Sequence, residues 1–205
     1  MVETKAIFID WDKTLSISKF WSHWEVSEPK HYELVQKHFF GTEKETLMAW
    51  MRGQLRAEQV IARAAIYTGI DKKILLRELK KSCQSMQLLD PSIKDVIKKI
   101  RASGIEVAIA TDNMDTFLRW TVPALGLDDL VDRILDSHTL GVLKSDVGAD
   151  GSSAFFSTYI RNLGIKPVEA VLFDDNAGYI ERFGLRYVQV SENRPLTRCL
   201  AQFLT

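Results

Sequence analysis

Two aspartates that directly follow a short apolar run are the residues of this chain whose types and spacing first point to chemistry. Residues 6–9, Ala-Ile-Phe-Ile, lead straight into Asp10 and Asp12. Such a run fits a buried strand, and ligand crevices of open α/β sheets form at the carboxyl ends of strands. Like charges buried so close together need a cation or a proton, which indicates a metal-assisted site. A role in the turn after the strand is the simpler alternative, because Asp is a common turn residue.

Two later apolar runs, at 104–110 and 170–173, also end in polar residues. Those residues are Thr111, Asp112 and Asn113 after the first run, and Asp174 and Asp175 after the second. Lys144 lies between them in sequence. If the runs are adjacent parallel strands, their ends gather carboxylates, a hydroxyl and an ammonium. A carboxylate nucleophile, a hard cation and groups that hold phosphoryl oxygens are what attack on phosphorus requires.

These segments resemble, in order and spacing, the four motifs of the haloacid dehalogenase-like (HAD) hydrolase superfamily. Residues 9–15, Ile-Asp-Trp-Asp-Lys-Thr-Leu, are similar to its first motif, an apolar strand followed by Asp-x-Asp-x-Thr. Thr111 matches the Ser/Thr of the second motif, and Lys144 matches the basic residue of the third. Asp174 and Asp175 match the acidic pair of the fourth motif. The resemblance extends over nearly the whole chain.

The resemblance implies a role for each matching residue. Asp10 would be the nucleophile that forms an aspartyl-phosphate, and Asp12 the general acid and base. Mg²⁺ would be held by the Asp10 carboxylate, the backbone carbonyl of Asp12, and the acidic pair. Of that pair, Asp175 aligns best with the direct ligand, and Asp174 is expected to act directly or through water.

The remaining matches imply contacts to the substrate. Thr111 would bind a phosphoryl oxygen, and Asp112 and Asn113 beside it are predicted to contact the substrate. Lys144 would orient Asp10 and offset negative charge. The chain departs from the family pattern after Lys144, because residues 145–153 are rich in Gly and Ser and predict a flexible loop. For Lys144, an ordinary surface position therefore stays open as an alternative.

The residue at position 12 separates branches of the superfamily. Dehalogenases lack an acid at this position, because a halide needs no proton to leave. Asp12 therefore favours transfer of a phosphoryl group over cleavage of a carbon–halogen bond. Lys13 is a second departure, since this position is often Gly in the family, and it adds a cation beside the site.

The elements that must position these residues predict a doubly wound, Rossmann-like α/β core, because strand and helix patterns alternate after residue 90. Residues 16–89 contain no convincing strand and predict helices instead. Their predicted ranges are Pro29–Phe40, Glu43–Arg52, Ala57–Tyr67 and Asp71–Met86, with helix ends near Gly41, Gly53 and Gly69. We therefore expect a core made of 1–15 and 90–205, and a small all-helical cap made of 16–89, where HAD proteins insert a mobile cap.

Aromatic residues are frequent close to the first motif. Trp11, Trp21 and Trp24 predict an apolar or aromatic substrate pocket above the site. Burial in the hydrophobic core is the alternative, because most aromatic rings in proteins lie there.

Composition limits the partners that this chain can have. Its 205 residues carry 27 basic and 27 acidic side chains, so the formal net charge is zero and predicts no nucleic acid or anionic membrane as a bulk partner. No apolar stretch approaches the ~18 residues of a membrane span. Two cysteines without metal-type spacing favour a cytoplasmic location. Either a monomer or a homodimer is compatible with the sequence.

The sequence thus predicts a Mg²⁺-dependent phosphoric monoester hydrolase that acts on a small phosphorylated metabolite through an aspartyl-phosphate. The alternative is a HAD-fold binding or regulatory protein that keeps its acidic cluster for a metal and has little or no turnover. Lys13 and the unusual loop after Lys144 support that alternative.

Overall fold

Five parallel strands form one sheet in the computed structural model, which describes residues 2–204. They are β1 (Ala6–Ile9), β2 (Glu106–Thr111), β3 (Arg133–Asp136), β4 (Ala170–Asp174) and β5 (Arg186–Gln189). The order across the sheet is β3-β2-β1-β4-β5, so the first strand is central and the chain builds outwards in both directions. This doubly wound parallel arrangement confirms the predicted α/β fold.

Eleven α-helices lie within residues 2–204. They are α1 (Trp24–Ser27), α2 (Pro29–Gln36), α3 (Lys44–Met51), α4 (Ala57–Thr68), α5 (Lys72–Gln84), α6 (Ile93–Ala102), α7 (Val122–Leu125), α8 (Leu127–Leu130), α9 (Ser137–Leu140), α10 (Ser157–Asn162) and α11 (Leu196–Leu200). Lys37–Thr42 and Phe117–Thr121 are π-helical, and Pro167–Glu169, Gly178–Phe183 and Ala201–Phe203 are 3₁₀-helical. No helix of this part of the chain is long and apolar enough to cross a membrane.

Both faces of the sheet are covered, because successive residues of a strand point to opposite sides. Ile7 of β1 lies in one hydrophobic cluster with Ile97 of α6. Phe8 lies in another cluster with Phe156 and Ile160, the latter from α10. Each of these side chains is at most 4% exposed. Burial on both faces explains why β1 is a continuous apolar run rather than an alternating one.

The segment 16–89, called the helical unit from here on, contains α1–α5 and has its own hydrophobic cluster. Its buried members include Trp21, Phe39, Trp50, Ile61 and Leu79, and Met114 and Trp120 join it from outside the unit. Helix α4 ends at Gly69, whose φ of 70° is costly for residues with a Cβ, as the sequence predicts. The predicted helix end at Gly41 is wrong, since the chain continues through it as the π-helical segment Lys37–Thr42.

The helical unit and the sheet are joined by two adjacent chain segments. Ser16 Oγ donates to the backbone oxygen of Gln87 at 2.7 Å, and the Leu89 N–H donates to Leu15 O at 2.8 Å. These bonds lie at the boundaries that the sequence predicts between the two parts. The helical unit therefore leaves and re-enters the sheet at one place, directly after the carboxyl end of β1.

Candidate active site

Three strand ends meet at the carboxyl edge of the sheet and place the predicted polar residues there. Asp10 directly follows β1, Thr111 is the last residue of β2, and Asp174 is the last residue of β4. Because Ile9 pairs with both Ile109 and Phe173, these ends lie side by side. The backbone N–H of Asp10 also donates to Phe173 O at 2.9 Å. Side chains far apart in sequence thus share one crevice.

Lys144 lies at the centre of this crevice. Its Nζ is 2.7 Å from Asp10 Oδ1 and 2.5 Å from Asp174 Oδ2, and its side chain is 6% exposed. Burial opposes the charged form of the ammonium, but the charges of Asp10 and Asp174 outweigh it and raise the pKa of Lys144. The lysine is therefore a permanent cation between two carboxylates rather than a surface residue.

The loop that carries Lys144 is held by bonds from several directions. The Lys144 N–H donates to Asp112 Oδ1 at 2.9 Å, and the Leu143 N–H donates to Asp146 Oδ2 at 2.9 Å. Arg52 of the helical unit forms a two-pronged ion pair with Asp146. The sequence predicts flexibility for 145–153, whereas the part of the loop nearest Lys144 is pinned by these contacts.

Asp10, Asp174 and Asp175 form a group that can hold a metal ion. Each offers one carboxylate oxygen, and these oxygens lie within 4.8 Å of one another. Two of the three carboxylates share the single Lys144 ammonium, so the cluster of four side chains keeps a formal charge of −2. A small hard cation with oxygen ligands fits this set in both charge and donor type. The carboxylate of Asp12 lies outside this group, and the ligand predicted from that residue is its backbone carbonyl.

The surroundings of Asp10 disfavour the ionised form of its carboxyl group. Burial raises the pKa of Asp10 to about 7, with the charge of Lys144 opposing the shift and that of Asp174 adding to it. Lys144 meets Oδ1 of Asp10, which leaves Oδ2 outside this ion pair. A carboxyl group this poorly compensated gains most from an additional cation, which would favour its ionised form.

Asp12 and Lys13 lie at the mouth of the crevice. Partial desolvation raises the pKa of Asp12, which is the direction expected of a general acid. Lys13 has a φ of 54°, in the left-handed region that favours glycine, and its Nζ is 3.8 Å from Asp175 Oδ2. A lysine therefore occupies a strained position beside a candidate metal ligand, and strain of this kind concentrates at functional sites.

Thr111, Asp112 and Asn113 follow one another along the edge of the crevice. Thr111 is buried, with 1% of its surface exposed. Asp112 and Asn113 line a pocket beside the carboxylates, but their side chains also serve the local structure. Asp112 accepts the Lys144 N–H, and Asn113 Oδ1 accepts the Met114 N–H at 2.9 Å.

The pocket lies between the sheet and the helical unit and has a volume of about 450 Å³. It is lined on the sheet side by Trp11, Asp12, Lys13, Asp112, Asn113 and Met114. On the other side it is lined by Ile17, Ser18, Lys19, Phe20, Gln36, Phe40, Leu47, Met51 and Met86. The candidate acid Asp12 is thus shared by the carboxylate crevice and this pocket.

The three tryptophans predicted to contact substrate lie in different places. Trp11 lines the pocket while packing on Phe117, with ring centroids 5.1 Å apart. Trp21 stacks on Phe39 and donates its Nε1–H to the backbone oxygen of Leu75. Trp24 is 4% exposed and belongs to the same cluster in the helical unit. Trp21 and Trp24 do not line the pocket, because the chain turns them into the core of the helical unit, so we exclude them from the candidate site.

Comparison with known proteins identifies the family. A model of the haloacid dehalogenase-like hydrolases matches residues 4–180, most of the chain. The protein is a HAD-like hydrolase. No curated protein gives a significant match to the chain.

Solved structures confirm the HAD fold at low sequence identity. L-2-haloacid dehalogenase from Xanthobacter autotrophicus, with chloropropionic acid covalently bound, is 17% identical, has a TM-score of 0.66, and aligns over 93% of this chain and 80% of its own. A HAD-family enzyme from Bacteroides thetaiotaomicron, in complex with magnesium and inorganic phosphate, is 16% identical, with a TM-score of 0.65 and coverages of 92% and 94%. A predicted HAD-like family hydrolase from Porphyromonas gingivalis is 17% identical, with a TM-score of 0.66 and coverages of 91% and 90%.

Asp115, a further buried carboxylate of this HAD-like hydrolase, was not predicted. Asp115 accepts the Trp50 Nε1–H at 2.6 Å and the Ala57 N–H at 3.2 Å, both from the helical unit, and an Arg119 N–H at 2.6 Å. Arg119 also pairs with Glu58 at 2.6 Å. The four-residue spacing of Asp115 and Arg119 signals the helical ion pair, but no local pattern reveals partners 58 and 65 residues away.

Proposed function

We propose that this HAD-like hydrolase is a Mg²⁺-dependent phosphoric monoester hydrolase that works through an aspartyl-phosphate on Asp10. The observation that carries the proposal is the position of Lys144 between Asp10 and Asp174, with Asp175 in the same cluster and Asp12 facing the adjoining pocket. A nucleophile, a fixed cation, candidate metal ligands and a proton donor are then all within one crevice. This is the set that phosphoryl transfer uses, since its catalysis is mainly positioning and charge stabilisation.

In the first step, Oδ2 of Asp10 attacks phosphorus and the bond from phosphorus to the ester oxygen breaks. Asp12 gives its proton to the departing oxygen, so that the product leaves as an alcohol. The upward shift of the Asp12 pKa has the direction expected of a general acid. Lys144 keeps Asp10 oriented through Oδ1 and leaves the attacking oxygen free.

In the second step, water attacks the phosphorus of the aspartyl-phosphate. Asp12, now ionised, accepts a proton from the water as the phosphorus–oxygen bond to Asp10 breaks. Inorganic phosphate leaves, and Asp12 is protonated again for the next cycle. Thr111, at the end of the neighbouring strand, is proposed to donate a hydrogen bond to a phosphoryl oxygen in both steps.

Asp10, Asp174 and Asp175 would hold the Mg²⁺, with the backbone carbonyl of Asp12 as a further proposed ligand. When bound there, Mg²⁺ neutralises phosphoryl oxygens and favours the ionised form of the nucleophile. The complex of the Bacteroides thetaiotaomicron enzyme with magnesium and inorganic phosphate supports this choice of ion, as a structure with the same fold.

The helical unit is proposed to act as a cap over this crevice. Its closure would exclude water during the first step, and its opening would admit water for the second. We place the enzyme in the cytoplasm, in keeping with Cys83 and Cys199, which are both free thiols.

One observation favours a second function, that of a metal-binding protein with little turnover. Lys13 brings a positive charge to within 3.8 Å of Asp175, where it competes with a metal ion for that carboxylate. Under this alternative the protein binds Mg²⁺ but releases no phosphate from any ester.

Release of phosphate from p-nitrophenyl phosphate tests the proposal. We expect turnover with Mg²⁺, none in excess chelator, and none in the variant Asp10→Asn. Asp95→Asn, which changes an exposed aspartate of α6, is the matched control and keeps full activity. Turnover that persists in Asp10→Asn would contradict the proposed mechanism, and Mg²⁺ binding without turnover in the wild type would favour the alternative. Release of chloride from 2-chloropropionate instead of phosphate would assign the protein to the dehalogenases.

A further inference from the structure

We infer that the substrate is a phosphate ester whose leaving group is apolar, an aromatic or aliphatic alcohol rather than a sugar or another polyol. The inference rests on the proposed function and concerns the pocket that adjoins the catalytic crevice. Asp12, Asp112 and Asn113 line this pocket, so a phosphoryl group held at Asp10 directs its leaving group into it.

The wall opposite the catalytic residues is apolar. Of the side chains that the helical unit contributes, Phe20, Phe40, Leu47, Met51 and Met86 are hydrophobic. Among the lining residues that the helical unit contributes from α1 onwards, Gln36 is the sole polar one within the described chain. Helices α2 and α3 therefore present no charge to the space where the leaving group lies.

Each of the two neutral polar side chains of this wall already has one protein partner. Gln36 Nε2 donates to the backbone oxygen of Phe20 at 3.0 Å, and Ser18 Oγ accepts the Gln87 N–H at 3.0 Å. A polyol placed here would lose hydrogen bonds to water and gain few in return, and buried hydroxyls without partners are costly. An apolar group would instead remove hydrocarbon surface from water on both sides, which is favourable.

Three methionine side chains line the pocket. Met51, Met86 and Met114 come from three separate parts of the chain and all reach the same space. Thioether side chains are flexible and polarizable, and they make favourable contacts with aromatic rings. At about 450 Å³ the pocket also has room for more than one ring. These features fit an aromatic or branched aliphatic group better than a small acid.

Lys13 and Lys19 are the cations of the lining, and both are exposed at its outer rim. Because water screens them there, they attract an anionic ester towards the entrance without adding polar partners to the wall. The pocket thus separates two tasks, recognition of the phosphoryl group at the sheet edge and burial of the organic group under the helices.

A matched pair of esters tests the inference. Cyclohexyl phosphate and myo-inositol 1-phosphate share the same ring and differ in its hydroxyl groups. We expect kcat/KM for cyclohexyl phosphate to be higher by at least about tenfold. Equal constants, or a preference for the inositol ester, would overturn the inference and leave the proposed phosphatase function intact.

Two variants of α3 test whether the apolar wall causes the preference for the apolar ester. Met51→Gln places an amide in the wall and is expected to reduce the ratio of the two kcat/KM values at least about threefold. Met48→Gln changes an exposed methionine of the same helix that does not line the pocket, and leaves both constants unchanged. An unchanged ratio in Met51→Gln would show that the apolar wall does not set the preference.

A binding measurement keeps the inference testable if the protein has no turnover. Isothermal titration calorimetry of Asp10→Asn with each ester, in the presence of Mg²⁺, measures the affinity of the pocket without the chemical step. Tighter binding of cyclohexyl phosphate supports the inference even if the proposed function fails. Tighter binding of the inositol ester contradicts it.

Discussion

Asp10 and Asp115 are both buried aspartates next to the sheet edge, with 6% and 7% of their surfaces exposed, yet their surroundings differ. Asp115 accepts hydrogen bonds from Trp50, Ala57 and Arg119, which are all groups of the protein itself. Asp10 shares one ammonium with Asp174, and burial raises its pKa to about 7. A buried carboxylate with a complete set of hydrogen-bond donors is structural, whereas one left short of positive charge is able to bind a cation.

Removal of the nucleophile gives the largest expected effect. Asp10→Asn should lower the rate of phosphate release by at least about 10³-fold, since no aspartyl-phosphate can form. Its melting temperature should stay at or above that of the metal-free wild type, because the change removes a poorly compensated buried charge. Calorimetry and a phosphate assay check the two halves. A large loss of stability would place Asp10 in the same structural class as Asp115.

Removal of Lys144 should also distinguish the Asp10 cluster from Asp115, through the effect of Mg²⁺ on stability. Lys144→Met leaves Asp10 and Asp174 without their cation, and we expect a loss of about 3–5 kcal/mol in the free energy of unfolding. Mg²⁺ should restore part of this stability, because it neutralises the same oxygens. Denaturant titrations with and without Mg²⁺ measure the recovery, and no recovery would speak against a metal at this cluster.

Mg²⁺ should restore no stability when the structural carboxylate of Asp115 is removed. Asp115→Ala leaves the Trp50 and Ala57 donors unpaired and should cost about 3 kcal/mol. Denaturant titration gives the free energy, with Asp128→Asn on the exposed side of α8 as the control. Rescue of Asp115→Ala by Mg²⁺ would erase the distinction between the two carboxylates.

The pH dependence of stability follows from the raised pKa of Asp10. Between its unfolded pKa near 3.9 and its folded value of about 7, the folded state binds a proton that the unfolded state does not. The metal-free wild type should therefore lose stability relative to Asp10→Asn as the pH rises from about 4 to about 7, and lose no more above that. Melting curves of both proteins in chelator test the sign, and a difference that grows with pH in favour of the wild type would contradict it.

The ion pair between Arg52 and Asp146 should give the smallest effect. It is partly exposed, so Arg52→Gln is expected to cost about 1 kcal/mol. Asp146 also accepts the Leu143 N–H beside Lys144, so kcat should fall a few-fold while KM changes little. Arg63→Gln, on an exposed face of α4, is the control. A changed KM with an unchanged kcat would show that the contact does not act through Lys144.

The sequence predicts the sheet and the acidic cluster well because their signals are local. β1, β2 and β4 each contain a run of apolar residues, and Asp10, Thr111 and Asp174 lie at the ends of these runs. Trp50 and Ala57, the partners of Asp115 in the helical unit, are separated from it by 65 and 58 residues, so nothing nearby in sequence reveals them. The loop after Lys144 has the composition of a flexible segment, but Arg52 and Asp112 hold its start through contacts that composition cannot reveal.

The tryptophans illustrate the same limit. Trp11 and Trp21 are ten residues apart and equally aromatic, yet the first reaches the pocket and the second stacks on Phe39. Which side of a segment faces the core depends on how the helical unit packs, and a short irregular stretch has no periodicity to indicate it. The methionines of the pocket were missed for the same reason.

A crystal soaked in Mn²⁺ tests most directly whether the three aspartates bind a hard cation, because the anomalous scattering of Mn²⁺ marks its position. We expect one strong peak in contact with the carboxylate oxygens of Asp10, Asp174 and Asp175, with Lys144 still paired to Asp10. A cluster that stays free of Mn²⁺ at saturating concentration, or a peak elsewhere in the molecule, would contradict it.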